Sequence, residues 1–319
     1  AYCRTECFLQ HDRNDAMIRQ ISSLIVLVAL GGCVSQTQGD VLEKVVFLGR
    51  HGIRSPTVSP QEMQHRTGHV WPVWSVAPGE MTGHGADALR AMVQAVRGYY
   101  SQTSLFRSLQ SCQAVAQEAV VWADTADHRT RQTGEVWAKE IAPGCSLQAR
   151  WASTTADPVF NALGSPAASV DSSVLERDFD TAKDTLPEPA SDAALKALQG
   201  LLASNACTEK PASSQCLTTP TTLEWKKGVP RLKGGFVTGG MAAESLLLTY
   251  AEGLPLTEFG ISERDVPHIL ETVMPAHEAE NNLLRRLPDY ARAPNGMMAK
   301  SIRALLSVQS VYAISGILP

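Results

Sequence analysis

A chain of 319 residues that is 44% hydrophobic and 19% charged, with a net charge of −4, holds enough apolar material for one large domain or two smaller ones. Nothing in it is basic enough to track a nucleic-acid backbone, so that class of partner is not expected. An acidic balance still suits an anionic ligand if arginines are concentrated where it binds.

Residues 17–33 read as an export signal. Met17-Ile18-Arg19-Gln20 supplies a start and a positive charge, Ile21 to Leu30 a short apolar core, and Leu30-Gly31-Gly32-Cys33 resembles a lipoprotein cleavage box. The apolar run is short for a bilayer span, which favours a signal peptide over a transmembrane helix. Use of the box makes Cys33 the lipidated first residue, and cleavage nearby gives a soluble periplasmic protein instead. Residues 1–16 lie upstream of the start and are expected to belong to no mature product. Ser35 to Asp40 is a polar linker. Four cysteines, Cys112, Cys145, Cys207 and Cys216, remain beyond the box, and an even number in an exported protein reads as disulfides. A four-cysteine zinc site would lack any C-x-x-C pair.

The first strand is the β-branched run Val45-Val46-Phe47, ended by the glycine and proline of Leu48-Gly49-Arg50-His51-Gly52-Ile53-Arg54-Ser55-Pro56. Ligands in open α/β sheets bind at the carboxyl ends of strands, which is where this loop falls. A guanidinium offers a fixed fork of donors matched to phosphoryl oxygens, so Arg50 and Arg54 suit a dianion. His51 between them, held neutral by a backbone partner, could attack phosphorus and form a phosphohistidine. The plainer reading makes the arginines surface charges and His51 a satisfied loop histidine.

Ser59 to Thr82, broken by prolines, reads as a loop rimming the site, with the tryptophans of Trp71-Pro72-Val73-Trp74 as packing or as substrate contacts. Apolar residues at Ala86, Leu89, Met92, Val93, Val96 and Tyr100 have helical spacing over His84 to Phe106, and Gly83-His84-Gly85 reads as the helix start. Val120 to Asp124 is a second strand. It precedes Asp127-His128-Arg129-Thr130-Arg131-Gln132-Thr133-Gly134-Glu135 and a helix from Thr130 to Ile141. Strand-helix-strand-helix order argues for a parallel or mixed sheet with helices on its faces. Residues 154–258 are rich in Ala, Ser and Thr, with helical patterning at Ser191 to Ser204 and Gly239 to Ala251 and little strand signal, as in a mostly helical subdomain. Helices follow at Asp265 to Leu287 and Met297 to Leu306, and Ser310 to Gly316 returns to strand composition.

Arg50-His51-Gly52-Ile53-Arg54-Ser55-Pro56 resembles the R-H-G-x-R-x-P signature of the histidine acid phosphatases, in the branch that includes bacterial periplasmic phytases. The segment from Asp127 to Glu135 is similar to that family's D-x-R-x-R-x-T-G-E motif. The resemblance implies an α/β fold with a three-layer, phosphoglycerate-mutase-like core in residues 41–153, a mostly helical cap in 154–258 and a return to the core in 259–319. It implies catalytic roles for His51, Arg50, Arg54 and Arg129, a pocket edge at Thr57, and substrate contacts from Met241 and Glu244. Core packing for Met241 and a solvated face for Glu244 are equally open. It pairs Cys112 with Cys145 and Cys207 with Cys216. Trp71 to Trp74 and Asp157-Pro158-Val159-Phe160-Asn161 also look like family segments, and Val58 stands where some phytases carry a lysine. The implied function is hydrolysis of a small phosphomonoester, such as phytate or a sugar phosphate, by an exported monomer that needs neither metal nor cofactor.

In the family the last strand runs into a G-H-D motif whose aspartic acid protonates the leaving oxygen. Here Gly316-Ile317-Leu318-Pro319 follows, so an incomplete core from a truncated or frameshifted reading frame is the expectation. His11-Asp12 has no preceding strand and would leave with the signal peptide, so it does not replace that pair. Two other readings stay open: a mutase-like phosphotransferase on the same core, and a phosphate-binding remnant without turnover.

Overall fold

The computed structural model describes residues 41–315, except 110, 165–167, 185–188, 204, 209–213 and 308–310. The expectations for the upstream segment, the signal at 17–33, Cys33, His11-Asp12 and the ending at 316–319 lie outside the described residues. One four-stranded parallel sheet carries the fold, in the order β1 (Val46–Gly49), β6 (Val311–Ser315), β2 (Ala119–Ala123), β3 (Ala149–Arg150). Gly49 and Ala123 both pair with Ser315, so β1, β6 and β2 end flush at one end of the sheet. The loops after β1 and β2 leave from that end.

Helices lie on both faces, giving the three layers of an α/β core. On one face, α2 (Gly83–Tyr100) and α5 (His128–Ile141) pack on Phe47, Val121 and Ala149 through Leu89, Val93 and Trp137. Gly134 of α5 lets the helix ride close to the strands, since an added β-carbon would lie 3.0 Å from those of Ala123 and Ala149. On the other face, Phe160 and Met298 pack with Val46 and Trp122, Met298 belonging to α10 (Pro288–Ser307). A larger apolar cluster joins α6 (Ser172–Lys183), α7 (Pro189–Leu202), α8 (Gly235–Ala251) and α9 (Val266–Arg285), and it also takes in Met63 and Trp71.

Several elements differ from the sequence-based expectation. Ser59 to Thr82 is not all loop, because Pro60–Thr67 forms helix α1. Ser59 caps it by accepting from the Glu62 N–H at 3.2 Å, Pro60 stands in its first turn, and Gly68 closes it at φ 73°. The helix begun at Gly83 stops at Tyr100, and Thr103 caps a separate short helix, α3 (Ser104–Ser108). It is followed by α4 (Cys112–Glu118). A hairpin of β4 (Thr222–Lys226) and β5 (Val229–Lys233) stands where little strand was expected; Lys227 and Gly228 make its turn, both at positive φ. Helix α10 starts at Pro288, nine residues before the expected Met297, and continues through Pro294 and Gly296. Cys112–Cys145 and Cys207–Cys216 are bonded, as the resemblance implied. Among the described residues no helix is long and apolar enough to cross a membrane, and no group of acidic, histidine and cysteine side chains could hold a metal ion.

Candidate active site

The loop after β1 is held by an antiparallel neighbour that sequence reading missed. The Ser55 N–H donates to the Glu80 carbonyl (3.0 Å), the Gly79 N–H to Pro56 (2.9 Å) and the Thr82 N–H to Ile53 (3.0 Å), with Arg54 bridged to Met81. Gly79 takes φ 80°, which a side chain would strain. The loop also lies directly on the first turn of α2. A β-carbon on Gly85 would stand 2.1 Å from the Ile53 oxygen, and one on Gly52 2.8 Å from the Gly85 oxygen. Gly85→Ala is therefore expected to cost roughly 1–3 kcal/mol or more, as overpacking does. Gly98→Ala in the same helix meets nothing within 4 Å and should stabilise by about 0.5–1 kcal/mol. Urea midpoints of the two variants check this contrast.

His51 lies half-buried at the centre. Its Nδ1 is 2.8 Å from the Gly52 carbonyl, which can only accept, so the proton belongs on Nδ1 and the Nε2 lone pair is left for chemistry. Burial pushes its pKa down from 6.5 to about 4; Arg54, Arg129 and Arg50 add to this, against the opposing bond to Gly52. The imidazole is thus neutral across mildly acidic pH.

Arg54, 5% exposed, donates from Nη1 to the Ser55 carbonyl (3.0 Å) and from Nη2 to Glu244 Oε1 (2.9 Å). Arg129 opens α5. Its two terminal nitrogens grip both oxygens of Asp127 (3.0 and 2.8 Å), and Nη1 also reaches the Gly79 carbonyl at 3.1 Å. Asp127 precedes α5 without capping it, because its carboxylate is committed to Arg129. Each guanidinium keeps terminal hydrogens uncommitted among the described residues, as an oxyanion would require. One turn beyond Arg129, Thr133 Oγ1 accepts from the Gly52 N–H (3.3 Å) and donates to the Arg129 carbonyl (2.8 Å), tying the two motifs together. Arg50 is exposed and acts on His51 through its charge.

The remaining expected residues divide. Glu244 of α8 joins the cluster through Arg54, with its side chain 22% exposed, so the solvated-face reading is set aside. Burial works to raise its pKa, but Arg54 above all, with His277 and Arg50, holds the carboxyl below the ordinary value. Met241, one turn earlier, packs against the large apolar cluster and meets Arg66 Nη1 with its sulfur at 4.0 Å. Thr57 is exposed at the loop's rim. Trp71 is a packing residue: its Nε1 donates to Thr67 Oγ1 (2.8 Å) and its ring meets Phe259 edge-on at 4.9 Å. Trp74 lines a cavity of about 200 Å³ beside the loop, with Ser55, Pro56, Val58, Met63 and Trp71. Asp157 accepts from Trp122 Nε1 at 2.7 Å beneath β2. Asp127 and Thr133 lie inside the second motif, and only their spacing from Arg129 on a helix start could have marked them.

No family model matches the chain. Phytase AppA of Escherichia coli (strain K12) is 30% identical over 295 residues, 87% of this chain and 66% of that protein. The glucose-1-phosphatase of Providencia rettgeri is 24% identical over 233 residues, 71% of this chain and 54% of that protein. The chain thus spans less than two thirds of the length of these curated relatives. The phytase of Hafnia alvei, solved with myo-inositol hexakis sulphate, matches with a TM-score of 0.73 at 26% identity, over 86% of this chain and 72% of that one. The phytase of Citrobacter braakii shares the fold at a TM-score of 0.72 and 24% identity, with the same coverage.

Proposed function

Because the chain belongs to the histidine acid phosphatase family, we propose that it hydrolyses phosphomonoesters through a phosphohistidine. The observation that carries this reading is a neutral His51 whose Nδ1 is held by Gly52 under the charges of Arg54, Arg129 and Arg50. In the first step His51 Nε2 attacks phosphorus as the bond to the leaving oxygen breaks, giving the phosphohistidine and an alkoxide or phenoxide, which takes a proton from water to become the alcohol or phenol. Water then attacks phosphorus, freeing the imidazole and phosphate. Arg54 and Arg129 hold the equatorial oxygens, where negative charge is greatest in the transition state, and Arg50 adds a third positive charge at the mouth. No metal is needed, since guanidinium groups supply the charge stabilisation.

The substrate is a small phosphomonoester of the phytate or sugar-phosphate class. Support comes from the relatives named as phytase and glucose-1-phosphatase and from the inositol hexasulphate held by the Hafnia alvei protein. Thr57, Met241 and Glu244 border the leaving group, Glu244 through Arg54. Export through residues 17–33, with Cys33 as the lipid attachment point, fits the two disulfides, which persist in oxidising compartments.

Phosphate release from p-nitrophenyl phosphate and from phytate tests the reading. An aryl ester leaves as an anion, so it reports on the nucleophile separately from a proton donor, whose contribution is about 10²–10⁴ in rate. Turnover of at least the aryl ester is expected. Phosphate binding without turnover of either ester would favour the remnant reading.

The depressed histidine also sets a pH dependence. The acid limb of kcat/KM on p-nitrophenyl phosphate should fall near pH 4, where the imidazolium forms and loses its lone pair. Between 6.5 and 4 the unfolded state binds more protons at this site than the folded one. Stability is therefore full above 6.5 and declines as pH falls through 4, and His51→Ala should flatten that slope in acid denaturation.

A further inference from the structure

Glu252 closes α8 at its C-terminal end, where the helix dipole disfavours a carboxylate. Its side chain is nevertheless only 14% exposed, and its Oε2 accepts a hydrogen bond of 2.6 Å from Thr82 Oγ1. Thr82 is 1% exposed and belongs to the core. It caps α2 by accepting from the Gly85 N–H at 2.9 Å, and its own N–H donates to the Ile53 carbonyl at 3.0 Å. The Thr82 hydroxyl has one proton, with two acceptors nearby: Glu252 at 2.6 Å and the Ile53 carbonyl at 3.4 Å. The carboxylate takes it, which fixes the rotamer of Thr82 and leaves Ile53 to the backbone bond. Ile53 stands between Gly52 and Arg54, so this contact reaches the loop that carries His51.

Glu244 belongs to the same helix and holds Arg54. The two glutamates are eight residues apart, about 12 Å along the helix axis and just over two turns. A single helix outside the sheet therefore grips the loop at Arg54 and again, through Thr82, at Ile53. His84 is the other titratable neighbour, its side chain exposed and its Nδ1 3.8 Å from Glu252 Oε2.

We propose that Glu252 is a positioning residue for the phosphate loop, holding Thr82 and through it the backbone that orients His51 and Arg54. This rests on the reading of the loop as a phosphohydrolase site.

The test uses the full chain with Glu252→Ala, Glu252→Asp and Glu252→Gln. Alanine removes the acceptor, aspartate keeps the charge but falls a methylene short, and glutamine keeps an oxygen at the same reach. The alanine and aspartate variants should lose about tenfold in kcat on p-nitrophenyl phosphate with KM within about twofold, because orientation rather than ground-state binding is lost. Glutamine should stay within about twofold of the parent. Amide hydrogen exchange in the 50–56 segment should quicken about tenfold in the alanine and aspartate variants only, with the middle of α8 unchanged. Parent-like kcat and loop exchange in both shortened variants would overturn the proposal, as would a glutamine variant as impaired as alanine. If the parent itself releases no phosphate, the functional reading fails on its own. The exchange arm then decides the role of Glu252 by the same comparison.

Discussion

Replacing His51 with alanine is expected to lower kcat/KM on p-nitrophenyl phosphate by at least about 10³-fold, the scale seen when a covalent nucleophile is removed. Folding should be unharmed, because the imidazole makes one backbone hydrogen bond, to the neighbouring Gly52. A graded loss would mean that water attacks phosphorus directly while the arginines supply most of the rate. Acid-stable, base-sensitive chemistry is the wrong signature for a phosphohistidine, whose P–N bond survives base and hydrolyses in acid. Rapid-quench labelling of the parent should therefore show a base-stable phosphoenzyme that is missing in the alanine variant.

The second large effect belongs to Arg54. Arg54→Ala removes a guanidinium aimed at the developing charge, which should lower kcat/KM by about 10²–10³. It also strands Glu244, whose pair is 6% exposed on the arginine side and 22% on the glutamate side. Breaking a fully buried pair costs about 3–5 kcal/mol, and the partial exposure of Glu244 brings the expectation to roughly 2–4 kcal/mol. Adding Glu244→Gln to Arg54→Ala removes the stranded charge, so the double variant should regain part of the stability and none of the activity. A double-mutant cycle by urea denaturation and initial rates reads both quantities. If stability and activity recovered together, Arg54 would serve the fold rather than phosphate.

Much of the site was legible because its chemistry is local in the chain. His51, Arg50 and Arg54 fall within one turn-forming run after a strand, and Arg129 falls at a helix start after another. The first run was readable from residue type, and Arg129 from the resemblance of its segment to the family's second motif. Helix α1 was hidden by the prolines of its surroundings, although Ser59, Pro60 and Gly68 are the cap signals of a helix. The hairpin at 222–233 was hidden in a segment of helical composition. Its alternation of Leu223 and Trp225 with Glu224 and Lys226 spans only one short strand. Helix α10 continues through Pro294 and Gly296, where local propensity argues for a break, and packing of Met298 against the sheet's face sustains it.

By itself the sequence determined the order of the two motifs, the strand-helix alternation that brings both loops to one end of the sheet, and the reactive groups available there. Only the tertiary structure decided how those groups behave. The neutrality of His51 comes from burial and from guanidinium charges that converge in space, since desolvation and Coulomb energies depend on surroundings and distance. Glu244 is 190 residues from Arg54 and becomes part of the site only because α8 packs beside the loop. Thr133, 81 residues from Gly52, is bound to it for the same reason. Periodicity and spacing describe neighbours along the chain, whereas a hydrogen bond or a pKa is set by neighbours across it.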